Sequence, residues 1–430
     1  MMCYNTKQNK CSVARRLFMR TSIRFDAKRR VRFDYVYEAV IVERVILHCD
    51  MNNYFATVEE KYTPSLRAVP FAVCGDPAMR HGIVMAKNQL AKNAGVITGI
   101  SYNQARKLCP GLQCVTADYP KYLKEAKEAR RIYRKYTDEI IPYGLDEAWV
   151  DLSLTGASMR DAVQIADLIR LEIKYSQGLS ASVGVSDNYI FSKLGSDYKK
   201  PDAVTVITRD NYRPLVWELP ASELLFVGKK RKKLLADCGI CTIGDIARAG
   251  PVLLRKILGK AGYDLWCFSN GDDSGFNPKN DTIASVGNTI TPPRDIDSPG
   301  DAAALIYMIV CSVCARLRKH GLAAAAVSIS MRDSCFNTVT RRCALPHPTN
   351  NIGIIFYTAC ELFVRNYSWE SPLRSVGVRA DKLEESAFEQ LSLFDEAQPE
   401  LCAQTKERLR VLSERMGGLQ TEKSAGNKDW

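Results

Sequence analysis

Three acidic residues in apolar surroundings are where this chain could do chemistry. Asp50 ends the apolar run 45–49. A carboxylate at the end of a buried strand is costly unless it is paired or binds a cation. Taken alone, Asp50 could equally cap a helix beginning near Asn52. Asp146 and Glu147 stand side by side inside the largely apolar segment 143–153. Neighbours on a straight strand point to opposite faces. Both can serve one site only beside a turn, which Pro142 and Gly144 allow. Three carboxylates brought together create a field suited to an oxygen-preferring cation such as Mg2+. Two such ions about 3.5–4 Å apart are the usual device for in-line phosphoryl displacement. One lowers the pKa of an attacking 3′-hydroxyl; the other binds a triphosphate and stabilises the departing pyrophosphate.

The elements that must position these acids follow from apolar periodicity. Residues 45–49 read as a buried strand and 52–62 as a helix. Strands are expected at 70–74 and 82–87, separated by a Gly/Asp/Pro turn. A charged amphipathic helix covers 119–136, and a strand preceded by a turn lies within 142–153. Residues 157–175 read as a helix, and 180–185 and 203–208 as strands. This alternation marks an α/β or α+β region. Short helices fill 215–280. There the stretch Leu224 to Gly228, five consecutive basic residues 229–233 and then Gly239-Ile240 resemble a helix-hairpin-helix. Such a hairpin offers backbone N–H groups to a phosphate. From 284 the order is strand 284–291, helix 301–320, strands 324–331 and 338–345, helix 351–366 and strand 374–383. That β-α-β-β-α-β order fits a ferredoxin-like domain of about 100 residues. Its strands carry Arg332, Arg341, Arg342, Arg374 and Arg379, which could track a phosphate backbone.

With 430 residues, two to four domains are expected. The 46% hydrophobic and 25% charged content is that of an ordinary soluble protein. No apolar run approaches the ~20 residues that span a bilayer. The N-terminus lacks the apolar core of a secretory signal. A cytoplasmic protein with no membrane partner is expected. Fifteen cysteines, an odd count, do not read as a disulfide framework in a chain of this size. The CxxC pairs Cys238/Cys241 and Cys311/Cys314 read as helix or turn positions rather than zinc ligands. The net charge is +12, of which residues 1–44 carry +7, with eleven Lys/Arg against four Asp/Glu. Residues 1–43 read as a basic N-terminal extension outside any domain, a disordered tail or upstream start-site extension, with a nucleic-acid-binding arm as the alternative. A basic chain suggests a polyanionic partner without identifying it.

At this point a resemblance enters. Asp50-Met-Asn-Asn-Tyr-Phe-Ala-Thr-Val-Glu59 and Tyr143-Gly-Leu-Asp146-Glu147-Ala-Trp-Val-Asp151-Leu resemble the two catalytic motifs of bacterial Y-family (UmuC/DinB-like, translesion) DNA polymerases. Their separation of about 95 residues leaves room for a fingers insertion. Lys193-Leu-Gly-Ser-Asp-Tyr-Lys-Lys200-Pro-Asp is similar to that family's triphosphate-lysine motif. Met85-Ala-Lys-Asn88-Gln-Leu-Ala-Lys92-Asn-Ala-Gly95 resembles its fingers motif, and the stretch Ser285 to Asp295 its little-finger opening strand. The resemblance covers roughly 44–394. It implies an α+β multidomain right hand: palm at 44–65 and 121–213, small fingers at 66–120, a helix-hairpin-helix thumb at 214–280 and a ferredoxin-like little finger at 284–385.

The resemblance also implies roles. Asp50 and Asp146 would ligate two Mg2+ ions, with the Met51 carbonyl a further ligand and Glu147 completing the primer-side ion. Phe55 matches the steric gate that excludes a ribose 2′-OH, and Tyr54 is placed beside it at the substrate. Lys92 and Lys200 would hold the triphosphate. Lys229, Lys230 and Lys232 of the thumb, and Arg332, Arg374 and Arg379 of the little finger, would contact DNA. Asn52 and Asn53 depart from the family pattern, as do Gln89 and Lys92 where a Tyr-x-x-Arg pair is common. None removes a metal ligand; they bear on nucleotide preference and lesion range.

In the polar tail 386–430, Gln390-Leu391-Ser-Leu393-Phe394 resembles the peptide that bacterial polymerases insert into the β sliding clamp, with Leu393 and Phe394 as anchors. The expectation is a monomeric, template-dependent DNA polymerase that adds dNTPs to a primer, without proofreading, and carries synthesis past damage. The rivals are a clamp-tethered DNA-binding factor that has lost catalysis, and a nucleotidyl cyclase. The second would need neither thumb hairpin, little finger nor clamp peptide.

Overall fold

The computed structural model describes residues 14–25, 31–76, 82–278 and 283–385. The tail, with the peptide 390–394, lies outside the described residues. The basic N-terminal extension, expected as a disordered tail, instead contains a two-stranded antiparallel ribbon, β1 (Ala14–Phe25) with β2 (Val31–Val42). These strands pair only with each other among the described residues.

The chain then enters β3 (Ile46–Met51) and turns through Asn53, in the left-handed region at φ 45°, into α1 (Tyr54–Tyr62). A three-stranded unit follows: β4 (Phe71–Cys74), β5 (Val84–Lys87), α2 (Gln89–Asn93), α3 (Tyr102–Leu108) and β6 (Gln113–Thr116), in the order β5-β4-β6. The chain returns through α4 (Tyr119–Tyr133), β7 (Ile140–Pro142), β8 (Glu147–Asp151), α5 (Met159–Glu172), β9 (Ala181–Ser186), α6 (Tyr189–Tyr198) and β10 (Val204–Ile207). These strands complete a five-stranded sheet, β10-β9-β3-β8-β7, with β3 at its centre.

Alternation along β3 sorts its side chains between two cores. Val45, Leu47, Cys49 and Met51 pack with α1, α4 and α5. Ile46 packs with Trp149 and Tyr189 on the opposite face, where α6 lies. Helix α6 sits unusually close to the sheet because two glycines meet. A Cβ on Gly184 of β9 would lie 1.9 Å from the Ser192 carbonyl oxygen, and one on Gly195 would lie 3.0 Å from Gly184 Cα.

Short helices follow: α7 (Tyr212–Val216), α8 (Lys229–Ala236), α9 (Ile243–Leu258, broken at Gly250–Pro251) and α10 (Lys260–Ser269). They share one core with Ile190, Phe191 and Leu194 of α6. The expected hairpin is α8 and α9, joined through Gly239 at φ 75°.

The last unit is β11 (Ser285–Ile290), α11 (Pro299–Lys319), β12 (Leu322–Asp333), β13 (Thr338–Thr349), α12 (Ile352–Asn366) and β14 (Leu373–Glu385). The order is β-α-β-β-α-β as read from the sequence, with an all-antiparallel sheet β11-β14-β12-β13. One expectation is corrected here. Helix α11, with 21 residues and a mean hydropathy of 1.6 over its most apolar window, is long and apolar enough to cross a bilayer by length and composition. Half of that window is buried inside the protein, where Leu305, Ile309, Val313 and Leu317 join the core of this unit.

Candidate active site

Asp50 and Glu147 are register partners on the adjacent antiparallel strands β3 and β8, so both side chains leave the same face of the sheet. They do not face each other alone. Lys193 Nζ, from α6, lies 3.1 Å from Asp50 Oδ2 and 2.9 Å from Glu147 Oε2. Lys200 Nζ lies 2.8 Å from the same Asp50 Oδ2. Asp197 closes the group, with Oδ2 3.1 Å from Lys193 and Oδ1 2.7 Å from Lys200. Burial alone would lower the pKa of Lys193, but Asp50, Glu147 and Asp197 more than offset it and hold the ammonium well above its ordinary value. Burial would likewise raise Glu147; His48 and Lys193 prevail and hold it well below the usual carboxylate range.

Lys193 and Asp197 are the residues that sequence reasoning missed. Their signal was spacing: Lys193, Asp197 and Lys200 stand at i, i+4 and i+7, which is one side of a helix. His48 is a second omission. Two residues before Asp50, it shares that face of β3, with Nδ1 2.8 Å from Ser196 Oγ and Nε2 3.4 Å from Glu147 Oε2. Burial lowers its pKa, which favours the neutral imidazole.

Asp146 precedes β8 in the turn that Gly144 makes at φ 103°, and its carbonyl accepts from Met51 N at 3.0 Å. Its side chain lines a narrow crevice with Met51, Arg130, Tyr133 and Leu145. Arg130 Nη2 steadies the turn by donating to the Gly144 carbonyl at 3.2 Å. Burial first, then the charges of Glu147 and Asp50, push the Asp146 carboxyl up to about 6. That is the electrostatic cost a cation would relieve. The acids are not gathered around a common point. Among the described residues no three Asp, Glu, His or Cys side chains are close enough to hold an ion as they stand. The donor set nevertheless fits hard divalent cations, being carboxylate oxygen throughout.

Phe55 stands in an aromatic cluster, with ring centroids 4.6 Å from Tyr122, 5.6 Å from Tyr54 and 6.3 Å from Tyr119. Tyr54, expected at the substrate, is only 3% exposed, and its hydroxyl donates to the Tyr122 carbonyl. The structure makes it a support for Phe55, because α1 turns it into the main core. Asn52, where many family members carry Asp, is buried. Its Oδ1 accepts from Asp202 N at 3.0 Å and its Nδ2 donates to Ser182 Oγ at 3.0 Å, so it anchors the loop after Lys200. Lys92 is exposed on α2. Burial first, then the charge of Lys92, lowers the pKa of Lys87, so a second basic group adjoins it.

Lys229, Lys230 and Lys232 are exposed in the first turn of α8, directly after Gly228. In the last unit, strand register divides the arginines. Ser328 pairs with both Arg379 and Arg342, so these two share the face away from the helices, as does Arg332. Arg379 Nε is held 2.8 Å from Asp381 Oδ1. Arg374 stands at the register shift where Ser375 pairs with Arg332 and Leu373 with Asp333, its guanidinium 4.5 Å from the ring centroid of exposed Phe336, over which Arg332 also lies at 5.8 Å. Arg341 bonds Asn366 at the end of α12. Arg341 therefore stands apart from the other four.

A model of the impB/mucB/samB family matches residues 49–197, and one of the impB/mucB/samB family C-terminal domain matches 283–393. A protein of Acetivibrio thermocellus named DNA polymerase IV is 45% identical over 359 residues, covering 83% of this chain and 90% of that protein. The DNA polymerase IV 1 of Bacillus subtilis is 32% identical over 373 residues, covering 85% and 90%. A chimeric Y-family DNA polymerase of known structure superposes with a TM-score of 0.69 at 22% identity, covering 79% of this chain and 98% of that one. The chain belongs to the impB/mucB/samB family and is a bacterial Y-family polymerase by sequence and fold.

Proposed function

We propose that the protein extends a DNA primer along a template, taking dNTPs as substrates, and that it carries synthesis past damaged bases in DNA damage tolerance. The observation that supports this most is the pairing of Asp50 with Glu147 on adjacent central strands, with Asp146 at the turn beside them. Asp50, Asp146 and Glu147 would hold two Mg2+ ions, with the Met51 carbonyl as a further ligand. When bound, such ions make the primer 3′-hydroxyl a stronger nucleophile and neutralise the departing pyrophosphate. Lys200, already drawn to Asp50, and Lys92 would bind the triphosphate through charge-assisted hydrogen bonds. Phe55 would meet the sugar, backed by Tyr122, and exclude a 2′-hydroxyl. The α8 lysines and Arg332, Arg374 and Arg379 would neutralise backbone phosphates.

The protein would work as a cytoplasmic monomer, tethered to a β sliding clamp through 390–394. A tether raises local concentration and so offsets a weak hold on DNA. The intact acidic set opposes a clamp-tethered factor without catalysis, and the α8–α9 hairpin with the last βαββαβ unit opposes a cyclase. Primer extension with Mg2+ and dNTPs, on undamaged and abasic templates, tests the reading. The wild type should extend both, and an Asp146→Ala/Glu147→Ala variant neither; equal extension by the two proteins would sink it.

A further inference from the structure

Lys193 touches the two acids that the proposed function makes metal ligands, yet no step of that function uses it. Its ammonium is 13% exposed and is bounded by carboxylates from β3, β8 and its own helix. The oxygens it holds, Asp50 Oδ2 and Glu147 Oε2, are among those a divalent cation would need, at about 2.0–2.1 Å for Mg2+. An ammonium on these oxygens competes with such an ion for their lone pairs and repels its charge. Asp197 differs from the other acids. At 40% exposure it is the open side of the group, and it already touches both Lys193 and Lys200.

We propose that Lys193 is a positioning residue that keeps Asp50 and Glu147 together in the metal-free enzyme, and that Asp197 receives its ammonium when divalent cations enter. The inference rests on Asp50 and Glu147 being metal ligands. Only a side chain has to move, because the Gly184–Gly195 contact fixes α6 against β9. The i, i+4 relation of Lys193 to Asp197 lets the ammonium shift along its own helix without losing its charge partner. Two lysines on Asp50 Oδ2 also explain why the acids, as they stand, do not close into a ligand set.

Mn2+ binding to the full chain, without DNA or nucleotide, is the test, with free Mn2+ followed by electron paramagnetic resonance. Lys193→Met should tighten binding about tenfold or more, because it removes a cation that repels the ion within a few ångströms. In EDTA the same variant should melt below the wild type, since two buried carboxylates lose a partner, and Mn2+ should close that gap. Asp197→Asn should weaken Mn2+ binding several-fold in the wild type but much less in the Lys193→Met background. Simple additivity of the two changes would mean that Asp197 does not act through Lys193 and would overturn the proposal. So would unchanged or weaker binding by Lys193→Met. If Lys193→Met fails to fold, Asp197→Asn alone still decides, and wild-type affinity in that variant overturns the proposal. Glu147→Gln separates the two levels of argument. Wild-type Mn2+ binding by Glu147→Gln removes the metal-ligand reading itself. Loss of binding there, without tightening in Lys193→Met, removes only the role of Lys193.

Discussion

Asp146 offers the sharpest test of the site's electrostatics. Its carboxyl is raised from 3.8 to about 6 by burial and by the charges of Glu147 and Asp50. A carboxyl whose pKa is higher folded than unfolded stabilises the fold only while protonated. That contribution is complete below about pH 4, is lost as pH rises through about 6, and is constant above about 7. A rise of two units corresponds to about 3 kcal/mol at 1.36 kcal/mol per unit, an upper figure for a group with some solvent access. Asp146→Asn keeps the shape and removes the ionisation. In EDTA at pH 8 the variant should therefore be more stable than the wild type by roughly 2–3 kcal/mol, or about 5–10 °C in Tm for a domain of this size. Its advantage should be about half as large at pH 5. Saturating Mg2+ should narrow the gap, because the wild type gains a ligand for its native state and the variant loses an acid from the ligand set. Thermal or urea unfolding across pH 5–9 measures this directly. An advantage that does not grow with pH, or a variant less stable than wild type at pH 8 in EDTA, would refute the assignment of Asp146 as a buried, repelled carboxylate. Primer extension by the same variant should be lost, so stability and activity move in opposite directions.

Three further outcomes are expected. Phe55→Ala should reduce discrimination between dNTPs and rNTPs, read as the ratio of their kcat/KM values, by roughly 10–100-fold; an unchanged ratio would show that Phe55 is not the gate. Gly184→Ala places a Cβ 1.9 Å from the Ser192 carbonyl, and backbone cannot give way as a side-chain tip can. It should cost about 3 kcal/mol or more in urea unfolding, while an innocuous substitution would show that α6 is not held by that contact. Lys230→Ala should lower the slope of log DNA affinity against log salt by about 0.9 without altering sequence preference; an unaltered slope would place Lys230 off the phosphate track.

Much of the fold was legible because one rule, apolar periodicity, governs most of it. The strands at 45–49 and 180–185 correspond to β3 and β9, and the β-α-β-β-α-β order of the last unit was readable throughout. Boundaries drifted where local backbone geometry overrides periodicity. Helix α1 starts at Tyr54 rather than Asn52, because Asn53 sits in the left-handed region. The pairing of β1 with β2 was not read, since the clearest alternation begins only near Val31 and pairing is not a local property. Of the site, the acids announced themselves by being polar in apolar runs. Lys193 and Asp197 did not, because on a helix of mixed composition a charged residue is ordinarily a solvated one. What distinguishes them is the approach of α6 to β3, which depends on two glycines 11 positions apart in sequence. The burial of Tyr54 was unreadable for a related reason: face is set by the exact end of a helix or strand, the least readable feature of a sequence.

Helix α6 also joins the five-stranded sheet to the core of α7–α10. One side carries Lys193, Asp197 and, just beyond its end, Lys200 toward the acids of β3 and β8. Another side gives Ile190, Phe191 and Leu194 to the core of α7–α10. Its start is fixed by Asp273, which accepts from Tyr189 N at 2.9 Å and from both Arg44 Nη atoms at 2.7 and 2.9 Å. Because the Gly184–Gly195 contact holds α6 against β9, the α7–α10 core rests on a helix whose Lys193 is held beside Asp50 and Glu147. Sub-ångström changes matter there, because ion pairs near 3 Å lose their hydrogen-bond component within a few tenths of an ångström. The core of α7–α10 and the charge group around Asp50 and Glu147 are thus packed on two sides of a single ten-residue helix.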